Sequence, residues 1–272
     1  MHTAVPPPPP IPPVPTRVLP RPRIIQGGMG VAVSGLRLAR AVAQLGQLGV
    51  VSGTALEAVH ARRLADGDPG GHLRRAYAAF PVPGVADRVL ARYYRPGGLP
   101  PGEPYPTVPS FTTRPGRALV ELTVLACFAE VWLAREGHDG PVGFNLLEKV
   151  QLPTVYSLYG AMLGGVDVVL MGAGIPAGIP ALLRALVAGG EVRYPIHVAP
   201  APGSTASVGS DEPAEVVLDP AAFFRSAPPP LTVPAFLAIV SAHTLATFLA
   251  RDPATRPDGF VIEGHTAGGH NA

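Results

Sequence analysis

A parallel α/β fold is what this sequence predicts, and three observations predict it. Short apolar, β-branched runs alternate with stretches of helical period along most of the chain. Several of those runs empty straight into glycines, at Gly27-Gly28, Gly53, Gly172-Ala-Gly174 and Gly264. Charged residues make up only 15% of the chain, against the usual quarter or so. With 47% hydrophobic residues, that composition suits a sheet buried on both faces.

Taken in order, residues 1–23 read as a disordered Pro-rich tail. Pro6 to Pro10, Pro12, Pro13 and Pro15 favour extended polyproline II and cannot pack a core. The fold starts at Arg23-Ile-Ile-Gln-Gly-Gly-Met-Gly30, where Ile24 to Gln26 is a brief strand. Gly27, Gly28 and Gly30 then make a turn that a planar or phosphorylated ligand can approach closely. Ser34 is the expected N-cap of a helix whose apolar positions include Leu36, Ala39, Val42 and Ala43. A second strand at 49–53 and a helix at 56–64 repeat the unit.

Residues 67–115 are dense in Gly, Pro and Arg and read as an insertion, with helical pieces at 71–79 and 84–94. The helix predicted over 119–135 carries Trp132 on its inner face. Strands follow at 142–146 and 166–171, each succeeded by a helix, at 153–163 and 179–187. The short strand at 194–198 and the Pro-, Ser- and Gly-rich stretch at 199–235 form a second insertion. Strands at 236–240 and 259–263 flank a helix at 243–249. Setting 194–198 aside leaves six strands of parallel type. Six can form an open doubly wound sheet or the first six units of an eight-unit barrel. Periodicity leaves both open.

The bulk numbers restrict function. A net charge of +2, with Lys149 the single lysine, gives no footprint for nucleic acid or an anionic membrane. The lone Cys127 sits among apolar neighbours and excludes an intramolecular disulfide. No apolar run reaches the length of a membrane span and no secretory signal is visible, so the expected location is cytoplasmic. Oligomeric state is not legible. The dinucleotide fingerprint, the Walker A motif and the Gly-x-Ser-x-Gly elbow are all absent from the sequence.

Chemistry concentrates in Asp258-Gly-Phe-Val-Ile-Glu-Gly-His-Thr-Ala-Gly-Gly-His-Asn-Ala272, where a strand runs into a Gly-rich turn with two histidines. His270 is the candidate catalytic residue, since an imidazole titrates near neutrality. His265 reads as structural or surface, like His60, His72, His138, His197 and His243. No zinc spacing is present, so no metal is expected. Ser52 and Thr54 either line a pocket or cap the helix that follows.

Three of these stretches together resemble the nitronate monooxygenase family, formerly 2-nitropropane dioxygenase, which includes flavin-dependent enoyl reductases. They are Ile24-Ile-Gln-Gly-Gly-Met-Gly30, Asn145, and Gly264-His-Thr-Ala-Gly-Gly-His270, each at a strand end. The resemblance implies an FMN-binding (β/α)8 TIM barrel over 24–272, incomplete at about six βα units, with insertions at about 67–115 and 199–235. It places Gln26, Gly27, Gly28 and Met29 against the flavin ring and Asn145 in hydrogen bond to it. Glu263, Gly264, Gly268 and Gly269 would lie beside the ring, and His270 would be the base. The implied activity is oxidation of alkyl nitronates or nitroalkanes with O2. The alternatives are reduction of an enoyl thioester and a non-catalytic fragment of either enzyme. The family commonly has Gln where this chain has Glu263, and Glu where it has Thr266. No stretch matches the family's phosphate loops, so the expectation is a truncated chain with an incomplete phosphate site.

Overall fold

The computed structural model describes residues 21–197, 214–225, 227 and 229–267. Its centre is a five-stranded sheet of β1 (Gly49–Ser52), β2 (Val142–Leu147), β3 (Val168–Gly172), β6 (Ala235–Val240) and β7 (Gly259–Ile262), paired in that order. Every pairing is parallel. Each strand therefore lies beside its predecessor in the sheet, with no reversal of order.

Alternation along the strands sorts side chains onto two faces. Val51, Phe144, Val169, Met171, Phe236 and Ala238 join the main core. That core also receives the helices α1 (Leu36–Gln44), α2 (Leu56–Ala65), α3 (His72–Ala78), α4 (Val85–Tyr93), α5 (Arg117–Arg135), α6 (Thr154–Leu163), α7 (Ile179–Ala188) and α9 (His243–Arg251). The opposite face holds Val50, Val168 and Leu170, with Leu237, Ile239 and Val261 packed beside them. Among the described residues no helix contributes to this second cluster. A parallel sheet with all its helices on one side is the result.

The helical layer is organised around α5. Nearly every α5 side chain is buried, acidic Glu121 and Glu130 included. The helix is apolar on all sides because α2, α3, α4 and α6 surround it. Gly160 and Gly164 on α6 permit the tightest approach. A Cβ at Gly160 would stand 2.3 Å from the Val124 carbonyl oxygen. Glu121 pairs within the layer with Arg88 and Arg117, at 2.7 and 2.8 Å.

Most predicted elements match within a residue or two. The strand expected at 24–26 contracts to a single parallel bridge between Ile25 and Leu48. Its physical reason lies in Gln26, whose Oε1 accepts from the Val50 N–H at 3.0 Å where the ladder would have used a backbone carbonyl. The backbone is thus free to turn away at Gly27. Ser34 does not cap α1; Gly35 occupies the N-cap position, and Glu130 accepts from the Leu36 N–H at 3.0 Å. The insertion at 67–115 contains α3 and α4 as expected, and Phe80 meets Phe128 of α5 edge-on. Within the second insertion, β4 (Val192–Pro195) and β5 (Glu215–Leu218) form an antiparallel pair and α8 spans Pro220–Phe224. Trp132 is half-buried against the core.

At the amino end of the sheet, Asp167 is buried, accepts from the Val142 N–H at 2.9 Å and pairs with Arg135. This end is tied shut by charge. The carboxyl end is open, and there the strands run out into loops.

Candidate functional site

A pocket of about 240 Å³ lies at the carboxyl ends of β2, β3, β6 and β7. Gly27, Gly28, Met29, Asn145, Glu263 and Gly264 all line it, from three segments distant in sequence. Ligands of parallel α/β proteins bind at this end of the strands, where loops are free to vary. Ile25, Leu170, Ile239 and Val261 supply apolar walls, and Gly172-Ala173 completes the rim.

Asn145 is the organising side chain. It projects from β2 on the face away from the helices, beside Ser52 of β1 and Leu170 of β3 in register. Its Nδ2 donates to the Gly28 carbonyl at 2.9 Å. Its Oδ1 is buried and has no hydrogen-bond partner among the described residues. Such an orphan costs about 1–3 kcal/mol, so it demands an explanation. Among the described residues the other two orphans are the Tyr93 and Tyr159 hydroxyls, on α4 and α6 in the helical layer.

Gly28 has no room for a side chain. An added Cβ would lie 2.6 Å from a Val50 methyl and 2.8 Å from the Asn145 Cβ. The backbone of Gly28 is thus pressed onto β1 and β2, which keeps it out of the pocket's space. Ala173 sits at φ 57°, so the exit from β3 is conformationally strained on the pocket rim.

The predicted residues divide clearly. Gln26 does not line the pocket; its side chain is held by Val50 and by the Gly27 carbonyl. Glu263 follows β7 directly, and its N–H donates to the Val240 carbonyl at 2.9 Å. Glu263 is the only ionisable side chain among the described lining residues. His265 and Thr266 are exposed beyond it. Gly268, Gly269 and His270 lie outside the described residues. Sequence reasoning missed the apolar walls, and Leu170 and Ile239 carried a usable signal: they alternate out of phase with the core-facing residues of their own strands.

A larger cleft of about 630 Å³ lies beside α1, α3 and α5 and contains none of the predicted site residues. Three of its four arginines are engaged by acids: Arg40 and Arg75 share Glu136, and Arg63 pairs with Glu130. Behind it, His60 is fully buried, with Nδ1 2.9 Å from the Tyr77 hydroxyl and Nε2 3.2 Å from Glu130. Burial outweighs the nearby carboxylates and depresses the His60 pKa, so the ring is neutral. Burial alone would raise Glu130, but His60, Arg63 and the Leu36 N–H together hold it below the ordinary carboxylate value. This network is structural. Cys127 is buried and its thiol is pushed far up by desolvation, which makes it inert.

Among the described residues no group of three or more His, Cys, Asp or Glu could hold a metal ion. None of the described helices is long and apolar enough to cross a membrane. No known family model and no curated protein matches the chain.

Proposed function

We propose that the pocket receives the isoalloxazine ring of FMN and that the protein is a flavin-dependent oxidoreductase of the nitronate monooxygenase type. The observation that carries this reading is the buried, partnerless Oδ1 of Asn145 beside the Gly27-Gly28 backbone. A flat heterocycle with an N–H on its edge satisfies that acceptor, and the glycines let backbone lie against its face. Ile25, Leu170, Ile239 and Val261 would exclude water from the ring. The pocket is below the roughly 300–1,000 Å³ of a whole small-molecule site, so it suits the ring alone. No cation for a phosphate stands among the described lining residues.

The same reading takes the sheet as part of a (β/α)8 barrel. Two features support it: sequential order of parallel strands, and helices confined to one face. In a barrel the second face, with Val50, Leu170 and Leu237, becomes the interior. Counting the Ile25 bridge, six parallel strand segments are in place, and closure would need further βα units.

FMN, when bound, supplies the electron transfer and oxygen chemistry. The chain's own part is to seat the ring through Gly27, Gly28 and Asn145 and to supply a base. His270 takes that role in this reading: its imidazole accepts the proton α to a nitro group, leaving the nitronate. Glu263 places a carboxylate at the pocket wall, where the resembling family has an amide.

One observation favours a second reading, reduction of an enoyl thioester with a nicotinamide donor. With Glu263 the only ionisable lining residue described, an anionic nitronate finds no cation in the wall, whereas a neutral thioester needs none. Anaerobic mixing separates the two. Bleaching of the flavin by ethyl nitronate, with none by NADH or NADPH, is the expected result; the reverse pattern would sink the first reading. Purified protein that is colourless and takes up no added FMN would leave only the non-catalytic reading.

A further inference from the structure

We propose that Ser34 is a positioning residue of this pocket, a side chain that fixes the Gly27-Gly28-Met29 backbone in its ligand-facing shape; the inference rests on the pocket being the binding site. Ser34 is 5% exposed. Its Oγ donates to the Gly27 carbonyl at 2.8 Å and accepts from the Met29 N–H at 3.0 Å. Its own N–H donates to the Met29 carbonyl at 3.2 Å. One residue thus satisfies three backbone groups on two residues that line the pocket.

A hydroxyl is the group for this task, because a single atom must donate and accept at once. Alanine at 34 leaves the Gly27 carbonyl and the Met29 N–H without their partner. The turn between is strained: Gly30 lies at φ 72° and Ala32 at φ 58°. A non-Gly residue held there persists only where its surroundings over-determine it. Ser34 supplies that determination from inside the loop.

The far stem of the loop is anchored as well. The Ser34 carbonyl accepts from the Ser52 N–H at 2.8 Å, which ties it to the end of β1. Two residues on, the Leu36 N–H is held at 3.0 Å by Glu130, which is itself fixed by His60 and Arg63. Because Glu130 serves the start of α1, the Ser34 hydroxyl is not needed as a helix cap. Both of its partners belong to the pocket, and this is what separates positioning from a purely structural role. A loop already held in its bound shape has less entropy to lose when a ligand arrives.

The experiment compares Ser34→Ala with Ser157→Ala, a buried serine on α6 next to Cys127. FMN affinity is read by quenching of flavin fluorescence, stability by thermal melting, and the loop itself by amide hydrogen exchange of segment 27–30 without FMN. Ser34→Ala is expected to weaken FMN binding tenfold or more and to speed exchange in 27–30, while Ser157→Ala lowers the melting temperature and leaves FMN affinity unchanged. Equal FMN affinity in wild type and Ser34→Ala overturns the proposal, as does a loss of affinity that merely tracks melting temperature in both variants. Wild-type protein that takes up no FMN overturns the flavin reading instead; exchange then judges Ser34 alone, and an unchanged rate at 27–30 in Ser34→Ala refutes it.

Discussion

Asn145 donates to the carbonyl of Gly28 at 2.9 Å across 117 residues of sequence, and the same amide keeps its other polar atom, Oδ1, buried and unpaired. One side chain lines the pocket, ties the Gly28 loop to β2 and keeps an unpaired acceptor.

Replacing Asn145 by Leu is expected to cost little stability and much binding. The Gly28 carbonyl loses its partner, at a cost of about 1–3 kcal/mol, and removing the orphaned Oδ1 offsets this by a similar amount. Melting should shift by only a few degrees, about 2–4 °C per kcal/mol for a chain near this size. FMN affinity should fall about tenfold or more, equivalent to about 1.4 kcal/mol. Intact affinity in this variant would refute the assignment of Asn145.

Gly28→Ala tests the cradle. The new methyl would meet Val50 and Asn145 at 2.6 and 2.8 Å, too close for either to remain. Overpacking of this kind costs about 1–3 kcal/mol. Urea denaturation should show a lowered midpoint, and FMN binding should be lost. A variant with the wild-type midpoint would mean that the loop is not pressed onto the sheet.

Gly160→Ala tests the α5–α6 seam, far from the pocket. Its Cβ would stand 2.3 Å from the Val124 carbonyl oxygen, against backbone that cannot rotate aside. We expect a loss of about 3 kcal/mol, at the upper end of overpacking. A neutral result in chemical denaturation would contradict the close contact.

Acid should destabilise the fold in two steps. His60 has a depressed pKa when folded, so the unfolded chain binds more protons and stability falls as pH drops below the ordinary histidine value of about 6.5. Glu130 is depressed as well, and its contribution is lost lower, as pH falls below about 4.3 towards its folded value. Melting temperature against pH measures this directly. In His60→Gln the first step should vanish and the second remain; a first step that persists must come from another group.

Much of this architecture was legible from residue patterns, for identifiable reasons. The strands β1, β2, β3, β6 and β7 are short and apolar, and glycines at the exits of β1, β3 and β7 mark the carboxyl end. Asn145, Gly28 and Glu263 were candidates because each stands where a strand ends and because the resemblance implies a place for each beside the ring; the structure brings the three into one pocket. Gln26 was misleading because a side chain can replace a backbone partner in the ladder, which periodicity does not register. Ser34 was misleading because a serine ahead of a helix has two uses, and only three-dimensional placement shows that Glu130 had taken the cap. Strand order is a pairing property and lies outside any single-strand pattern. His270, the sharpest sequence candidate, lies outside the described residues.

The sequential order of the strands also bears on how the protein is made. Chains emerge from the ribosome amino end first, at roughly 5–20 residues per second. In this sheet each strand's predecessor in sequence is also its neighbour, so from β2 onward every strand emerges with one pairing partner already made. The longest interval falls between β1 and β2, while residues 53–141 emerge, on the order of ten seconds at those rates. What emerges in that interval is α2 to α5, the bulk of the helical layer. The bulk of the helical layer is thus available before β2, β3, β6 and β7 are synthesised to lie against it.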